Sequence, residues 1–349
     1  MSAENESNLS CRGNVTLAFG EPITSAVMFS AGVVVNILAL ALLEIRRRRT
    51  SRSLYQILVT ALLLTDLLGS ISVSPVVLSA YAQNLTLLGM SKNMELCFYF
   101  GFSMTFLSLC TLSILCVMAL ERYFSIGHPY FYERHLNKRC VSITVVVIYL
   151  GSMLFCISPF LGFGERYVQY CPGTWCFLDM NHTDVKNKVY IGFYASFILI
   201  IISTTVVCNI SVIVLLVRMY KRGKVRRRRV AAQSRYHKSL SLTEEVEHLL
   251  PLIITTVVFI CCTFPLVVRV YVNLTGSHGN QHKADLRALR LLSFHSIINP
   301  WVFIILRPSV LKVLWSYLHK PHTSTFTWGK TVSSQNKQTV GCKATEAGK

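Results

Sequence analysis

Seven stretches of this chain are apolar over the length of a membrane-crossing helix, and between them the charge collects in short basic blocks. At a rise of about 1.5 Å per residue, some twenty such residues cross a bilayer's hydrocarbon. The runs fall at 23–45, 54–81, 97–126, 141–162, 188–219, 248–273 and 286–306. Only helices and closed barrels satisfy every backbone group in lipid, and runs this long are helical. The predicted fold is therefore an all-α membrane protein, a seven-transmembrane helix bundle. The composition agrees, with 52% hydrophobic and 15% charged residues in 349.

A net charge of +19 would suit a nucleic-acid partner if it were gathered on one surface. Instead the blocks at 46–52, 134–139 and 218–238 alternate with apolar runs, where the positive-inside rule places cytoplasmic loops. Nucleic-acid binding is excluded on that ground. The glycosylation sequons at Asn5, Asn8, Asn14, Asn84, Asn181 and Asn273 fall on the other side or at its edge, and a sequon is used only where it reaches the lumen. A further match at Asn209 lies inside the fifth run and is read as chance. Residues 1–22 lack a charged n-region followed by an apolar h-region, so the first run is expected to act as the translocation signal. The expected organisation is an extracellular glycosylated N-terminus at 1–22, a bundle at 23–307, and a short amphipathic eighth helix on the inner surface at 308–320. A disordered cytoplasmic tail rich in Ser and Thr follows at 321–349. The location is the plasma membrane, multi-pass, with the N-terminus outside.

Twelve cysteines divide by the same topology. Cys11, Cys97, Cys171 and Cys176 face the oxidising side and allow three pairings. Cys110, Cys116, Cys156, Cys208, Cys261 and Cys262 lie in apolar runs and read as small buried residues. Cys171 and Cys176, separated by Pro, Gly, Thr and Trp with no histidine pair nearby, do not read as a metal site. The chain contains no HExxH, no GxSxG and no paired intramembrane carboxylates, so no catalytic residue, metal or cofactor is expected. A retinal-type pump would need a lysine in the last run, which has none. The odd number of runs and the absence of an internal repeat argue against a transporter.

Ionisable residues inside a membrane are expensive and mark function. Arg290 lies well inside the outer end of the last run, so something anionic is expected against it. Asp66 falls mid-span in LLLTDLLG, where Asn36, Thr111, His295 and Asn299 are candidates to surround it. Glu121 and Arg122 form an adjacent pair at the inner end of the third run. Asn299-Pro300 distorts the last helix, since proline frees a carbonyl that neighbouring helices or water must satisfy.

Asn36, LLLTDLL at Asp66, Glu121-Arg122-Tyr123, Cys97 and Asn299-Pro-x-x-Phe303 together resemble the rhodopsin-like G-protein-coupled receptors over nearly the whole chain. Within them, QYCPGTWCF in the second outer loop and LRALRxxS followed by PWVFIILRP resemble the prostanoid receptors. MALERYFSIGHPYFYERH and SPVVLSAYAQN are most like strings of the prostaglandin E receptors of EP subtype two. The absence of a tryptophan in the fourth run and a proline in the fifth, and Thr263 where many receptors carry a switch tryptophan, are similar to the prostanoid branch. Asn299 departs from the aspartate usual there.

The resemblance implies a receptor for a prostanoid lipid, prostaglandin E before the alternatives of prostacyclin, prostaglandin D or EP subtype four. It further implies coupling through the heterotrimeric stimulatory G protein to a rise in cyclic AMP. By the same resemblance Arg290 takes the ligand's carboxylate, with Tyr81 and Thr174 completing the contact and Trp175 beside them. Met28, Ser74, Leu289 and Ser293 line the cleft. Cys97 pairs with Cys176, and Cys11 with Cys171, giving a lid that leaves entry from the lipid side. Arg122 and Tyr123, with the loop at Pro129, meet the G protein, while Asp66, Asn299 and Pro300 belong to the activation machinery. Phosphorylation of the tail by receptor kinases would recruit an arrestin.

Overall fold

The computed structural model describes residues 13–17, 22–47, 53–162, 167–180, 184–229, 235–275 and 282–305. Seven long helices fill the seven expected places: α1 (Pro22–Arg47), α2 (Leu54–Gln83), α3 (Glu95–Gly127), α5 (Lys138–Ile157), α6 (Val185–Arg229), α7 (Arg235–Thr275) and α8 (His282–Ile305). A short α4 (Pro129–His135) joins α3 to α5, and the hairpin β1 (Val168–Tyr170) and β2 (Trp175–Phe177) lies between α5 and α6. Six of the long helices are apolar enough to cross a membrane by length and composition. The seventh, α8, carries Asp285, Arg287 and Arg290 near its N-terminal end. The amphipathic helix expected at 308–320 and the tail at 321–349 lie outside the described residues.

Local chemistry sets the helix ends. Ser53 and Gln56 form a reciprocal capping box at the start of α2, each side chain bonded to the other's backbone N–H at 3.3 Å. Asn137 caps α5 by accepting from the Cys140 N–H at 2.8 Å. Pro129 opens α4, where a missing N–H is harmless. α5 ends at Ile157, short of the expected 162, because Ser158-Pro159 tightens the chain into a 3-10 turn through Leu161. α6 runs well past the apolar run, to Arg229, because arginine and lysine are strong helix formers that continue the helix into water.

α3 is the centre of the bundle, with Leu109, Leu112, Ile114 and Met118 all buried. α5 lies at the periphery and turns Ile143, Val146, Val147, Leu150 and Leu154 outward. Those residues recur at helical spacing as an exposed apolar stripe, which is stable only against hydrocarbon. Lipid tails are as apolar as leucine, so close packing and buried hydrogen bonds hold such helices together. The Thr65 and Tyr149 hydroxyls bond α2 to α5 at 2.5 Å, and Ser196 and Tyr271 bond α6 to α7 at 2.7 Å.

The hairpin forms a lid over one end of the bundle. β1 and β2 pair antiparallel, Gln169 opposite Cys176, and the Cys97–Cys176 disulfide fixes β2 to the first turn of α3. The Leu87 N–H donates to the Gly173 carbonyl at 2.9 Å, and the Leu88 N–H to Gln169 Oε1 at 3.1 Å, so the α2–α3 loop holds the hairpin's other side. Gly173 has a φ of 109°, and a Cβ there would come within 2.4 Å of Thr86, so only glycine fits. Residues 13–17 cross the α2–α3 loop, where the Thr86 N–H donates to the Val15 carbonyl at 2.9 Å.

Candidate functional site

Beneath the lid the helices enclose a narrow cleft of about 60 Å³. Its walls come from Met28 and Phe29 of α1, Ser70 and Val73 of α2, Met104 and Ser108 of α3, Trp175 of β2, and Ser293 and Ser296 of α8. Three expected cleft residues, Met28, Trp175 and Ser293, are therefore in the wall. Leu289 is fully buried in the helix packing, and the Ser74 hydroxyl is turned to the Ser70 carbonyl. Met104, Ser108 and Ser296 were not expected. Nothing in their type announces a site, and only the face of the helix they occupy puts them there.

Arg290 lies one turn above Ser293, whose hydroxyl donates to the Arg290 carbonyl at 2.8 Å. The residue is half-buried, and its guanidinium makes no hydrogen bond or ion pair with any described residue. Thr174 next to Trp175 is fully buried with an unpaired hydroxyl, and the half-buried Tyr81 phenol also bonds no described residue. Buried polar groups are nearly always partnered, so the unpaired Thr174 hydroxyl calls for an explanation.

The cleft's floor is polar. Asp66 is almost wholly buried, and it accepts from Thr111 Oγ1 at 2.9 Å and from Asn299 Nδ2 at 3.1 Å. Asn36 Nδ2 donates to the Ser296 carbonyl at 3.2 Å, tying α1 to α8 one turn before Pro300, which lies inside the helix. His295 shares the same cleft with its Nε2 unpaired. Of the residues expected around Asp66, Thr111 and Asn299 bond it directly and His295 lines the same cleft, while Asn36 bonds the Gly32 and Ser296 carbonyls.

At the far end, Glu121 and Arg122 face each other with Nε 3.4 Å from Oε2, and the Arg122 guanidinium stacks 3.9 Å above the Tyr55 ring. Tyr132 of α4 donates to Glu121 Oε1 at 2.9 Å. Burial and the neighbouring Glu121 charge push the Tyr132 phenol well above its ordinary range, so it remains a donor. Tyr123 packs edge-on against His128, beside the exposed Pro129.

This polar arrangement, buried asparagine, aspartate and Asn-Pro at mid-bundle with Glu-Arg-Tyr at one end, agrees with the comparisons. The pattern of the 7 transmembrane receptor (rhodopsin family) matches residues 35–303. The chain belongs to that receptor family. This receptor is 45% identical over 354 residues to the prostaglandin E2 receptor EP2 subtype of Mus musculus, covering 95% of this chain and 96% of that one. It is 39% identical over 308 residues to the prostacyclin receptor of Homo sapiens, covering 87% and 78%. Squid rhodopsin shares the fold, with a TM-score of 0.71 at 16% identity over 85% of this receptor and 79% of that chain. The protein is thus a multi-pass membrane receptor and not an enzyme.

Cys171 is disulfide-bonded, and its expected partner Cys11 lies outside the described residues, as do Asn5, Asn8 and Asn181. Asn84 is exposed at the C-cap of α2, and Asn14 is half-buried, its carbonyl accepting from Thr86 Oγ1 at 2.7 Å. Asn273 belongs to a network that the sequence reading missed. Arg269 Nε donates to Asp285 Oδ1 at 2.8 Å, Asn273 Nδ2 donates to the same oxygen at 3.2 Å, and Arg269 also donates to Asn273 Oδ1 at 3.2 Å.

Proposed function

We propose that this receptor binds a prostanoid, with prostaglandin E as its cognate ligand, and signals through the stimulatory G protein to raise cyclic AMP. The observation that carries this reading is the Arg290 guanidinium, unpaired among the described residues, one turn above the wall of a largely apolar cleft. A twenty-carbon acid with two long chains needs one such cation and little other charge. The free hydroxyls of Tyr81 and Thr174 supply further donors for the carboxylate. The disulfide end of the bundle then faces outside the cell, the sequons at Asn5, Asn8, Asn14, Asn84 and Asn181 with it, and Cys11 pairs with Cys171 to tie the N-terminal segment to the lid.

Activation follows as a shift between two populations, the ligand binding the open one better. Arg122 leaves Glu121 and Tyr55 and meets the G protein, while the Asn299-Pro300 step, tied to Asp66, absorbs the change in α8. Receptor kinases and arrestin act on the tail.

The test is cyclic AMP in cells expressing wild type and Arg290→Ala at matched surface level, titrated with prostaglandin E, prostaglandin D and a stable prostacyclin analogue. Removing one partner of a desolvated charge pair costs about 2–5 kcal/mol, so the mutant's response is expected to shift by about 30-fold or more. Equal responses in mutant and wild type would sink the carboxylate assignment. A higher potency of prostaglandin D or the prostacyclin analogue would reassign the ligand.

Tyr132→Phe is expected to separate binding from coupling. It removes a hydrogen bond to a charged group, worth about 1.5–3 kcal/mol, and loosens α4 from α3. Maximal G-protein activation is expected to fall severalfold while ligand affinity is unchanged; a fall in affinity alone would show that Tyr132 does not act through the coupling end.

A further inference from the structure

Of the arginines near the disulfide end of the α7–α8 pair, Arg269 and Arg290 are treated by the structure in opposite ways. Arg290 is unpaired among the described residues, whereas Arg269 is held by a carboxylate that is itself wholly buried. Asp285 sits in the first turn of α8, where the positive end of the helix dipole also favours it. With Asn273 the three side chains close a ring in which each one bonds both others. A long basic side chain on the surface would be mobile, but one forked onto a desolvated carboxylate and an amide has a single geometry.

We propose that Asp285 is a positioning residue for Arg290. The ring fixes the rotation and height of α8 against α7 at the first turn. Five residues further along a stiff helix, at about 1.5 Å and 100° per residue, that fixes the direction from which Arg290 meets an anion. The ring itself does not touch the ligand. An interaction as directional as a guanidinium–carboxylate fork is sensitive to small displacements of this kind. The assignment rests on the reading that Arg290 takes a carboxylate.

The experiment compares competition binding of prostaglandin E with that of its methyl ester, which has no carboxylate charge, on wild type, Arg290→Ala, Asp285→Asn and Asp285→Glu in native membranes. A positioning role predicts that Asp285→Asn weakens the acid by about tenfold or more, the scale of one charge-assisted hydrogen bond. The ester's affinity changes little, and Asp285→Glu restores most of the acid's preference. An equal loss for acid and ester means a purely structural role and overturns the proposal. So does a gain in acid affinity, which would mean that a freed Arg269 binds the anion itself. A wild type without acid preference defeats the carboxylate reading and this assignment with it. A wild-type preference that Arg290→Ala abolishes and Asp285→Asn leaves intact defeats the positioning role alone. Should Asp285→Asn fail to reach the surface, Arg269→Gln/Asp285→Asn, which leaves no unpaired buried charge, carries the same comparison.

Discussion

Cys97→Ser is expected to abolish most specific ligand binding at the cell surface. The bond it removes is the covalent tie from β2 to α3, and β2 carries Trp175 into the wall of the cleft. The hairpin keeps the Cys171 disulfide, the Leu87–Gly173 and Leu88–Gln169 hydrogen bonds to the α2–α3 loop and the Trp175–Phe100 ring contact, of which only the last reaches α3. Each hydrogen bond contributes about 1 kcal/mol net, while loss of a native disulfide costs about 2–5 kcal/mol. The hairpin therefore loses its register on α3, where Tyr167 packs so closely on Gly101 that a Cβ would approach its ring to 2.5 Å. Saturation binding on intact cells, normalised to an N-terminal epitope, measures the effect. The double variant Cys97→Ser/Cys176→Ser should be no worse than either single one, because the two cysteines act as a unit. Wild-type binding by Cys97→Ser would mean that the Cys171 disulfide, the hydrogen bonds and the packing position the lid without the tie to α3.

The bundle was legible in the sequence because an uninterrupted apolar run of about twenty residues has one stable state in lipid. The ends were less so. The block at 221–229 reads as a loop by charge, yet it lies beyond the membrane, where helix propensity decides, and it extends α6 to Arg229. α8 begins at His282 rather than 286 because its first turn is polar and leaves no hydropathy signal. Hydropathy reports where the hydrocarbon is, not where hydrogen bonding stops.

The site divides in the same way. Arg290, Asp66 and Glu121 stood out because each is a charge in or at the edge of a span, and each such charge needs a reason. Ser108, Met104 and Ser296 did not, since their place in the cleft depends on helix rotation, which near-uniform hydrophobicity conceals. Tyr55 and Tyr132 gain their roles only from what folding brings beside them. Arg269 is the instructive omission. It lies in FPLVVRVYVN, an apolar run, and the rule that called for an anion at Arg290 calls for one there too. Asp285 immediately precedes the last run and was available as the partner.

That pairing leads to the other large expected effect. Arg269→Leu leaves the carboxylate of Asp285 buried without its cation, and Asp285→Leu leaves the guanidinium. Breaking a buried pair from one side costs about 3–5 kcal/mol, whereas replacing both partners by apolar residues of similar volume is often neutral or stabilising. The expected result is that each single variant lowers the unfolding midpoint of the detergent-solubilised receptor substantially, while Arg269→Leu/Asp285→Leu returns it to near the wild-type value. Ligand binding divides the variants differently. If the ring positions α8, the stable double variant still loses preference for the acid over its ester, because two leucines have no directional bond to set the helix's rotation. Stability would then recover without the geometry, separating what the ion pair contributes to folding from what it contributes to aiming Arg290. A double variant as unstable as the two single ones combined would show that the ring is not a cooperative unit. Arg269 would then be held mainly by groups other than Asp285.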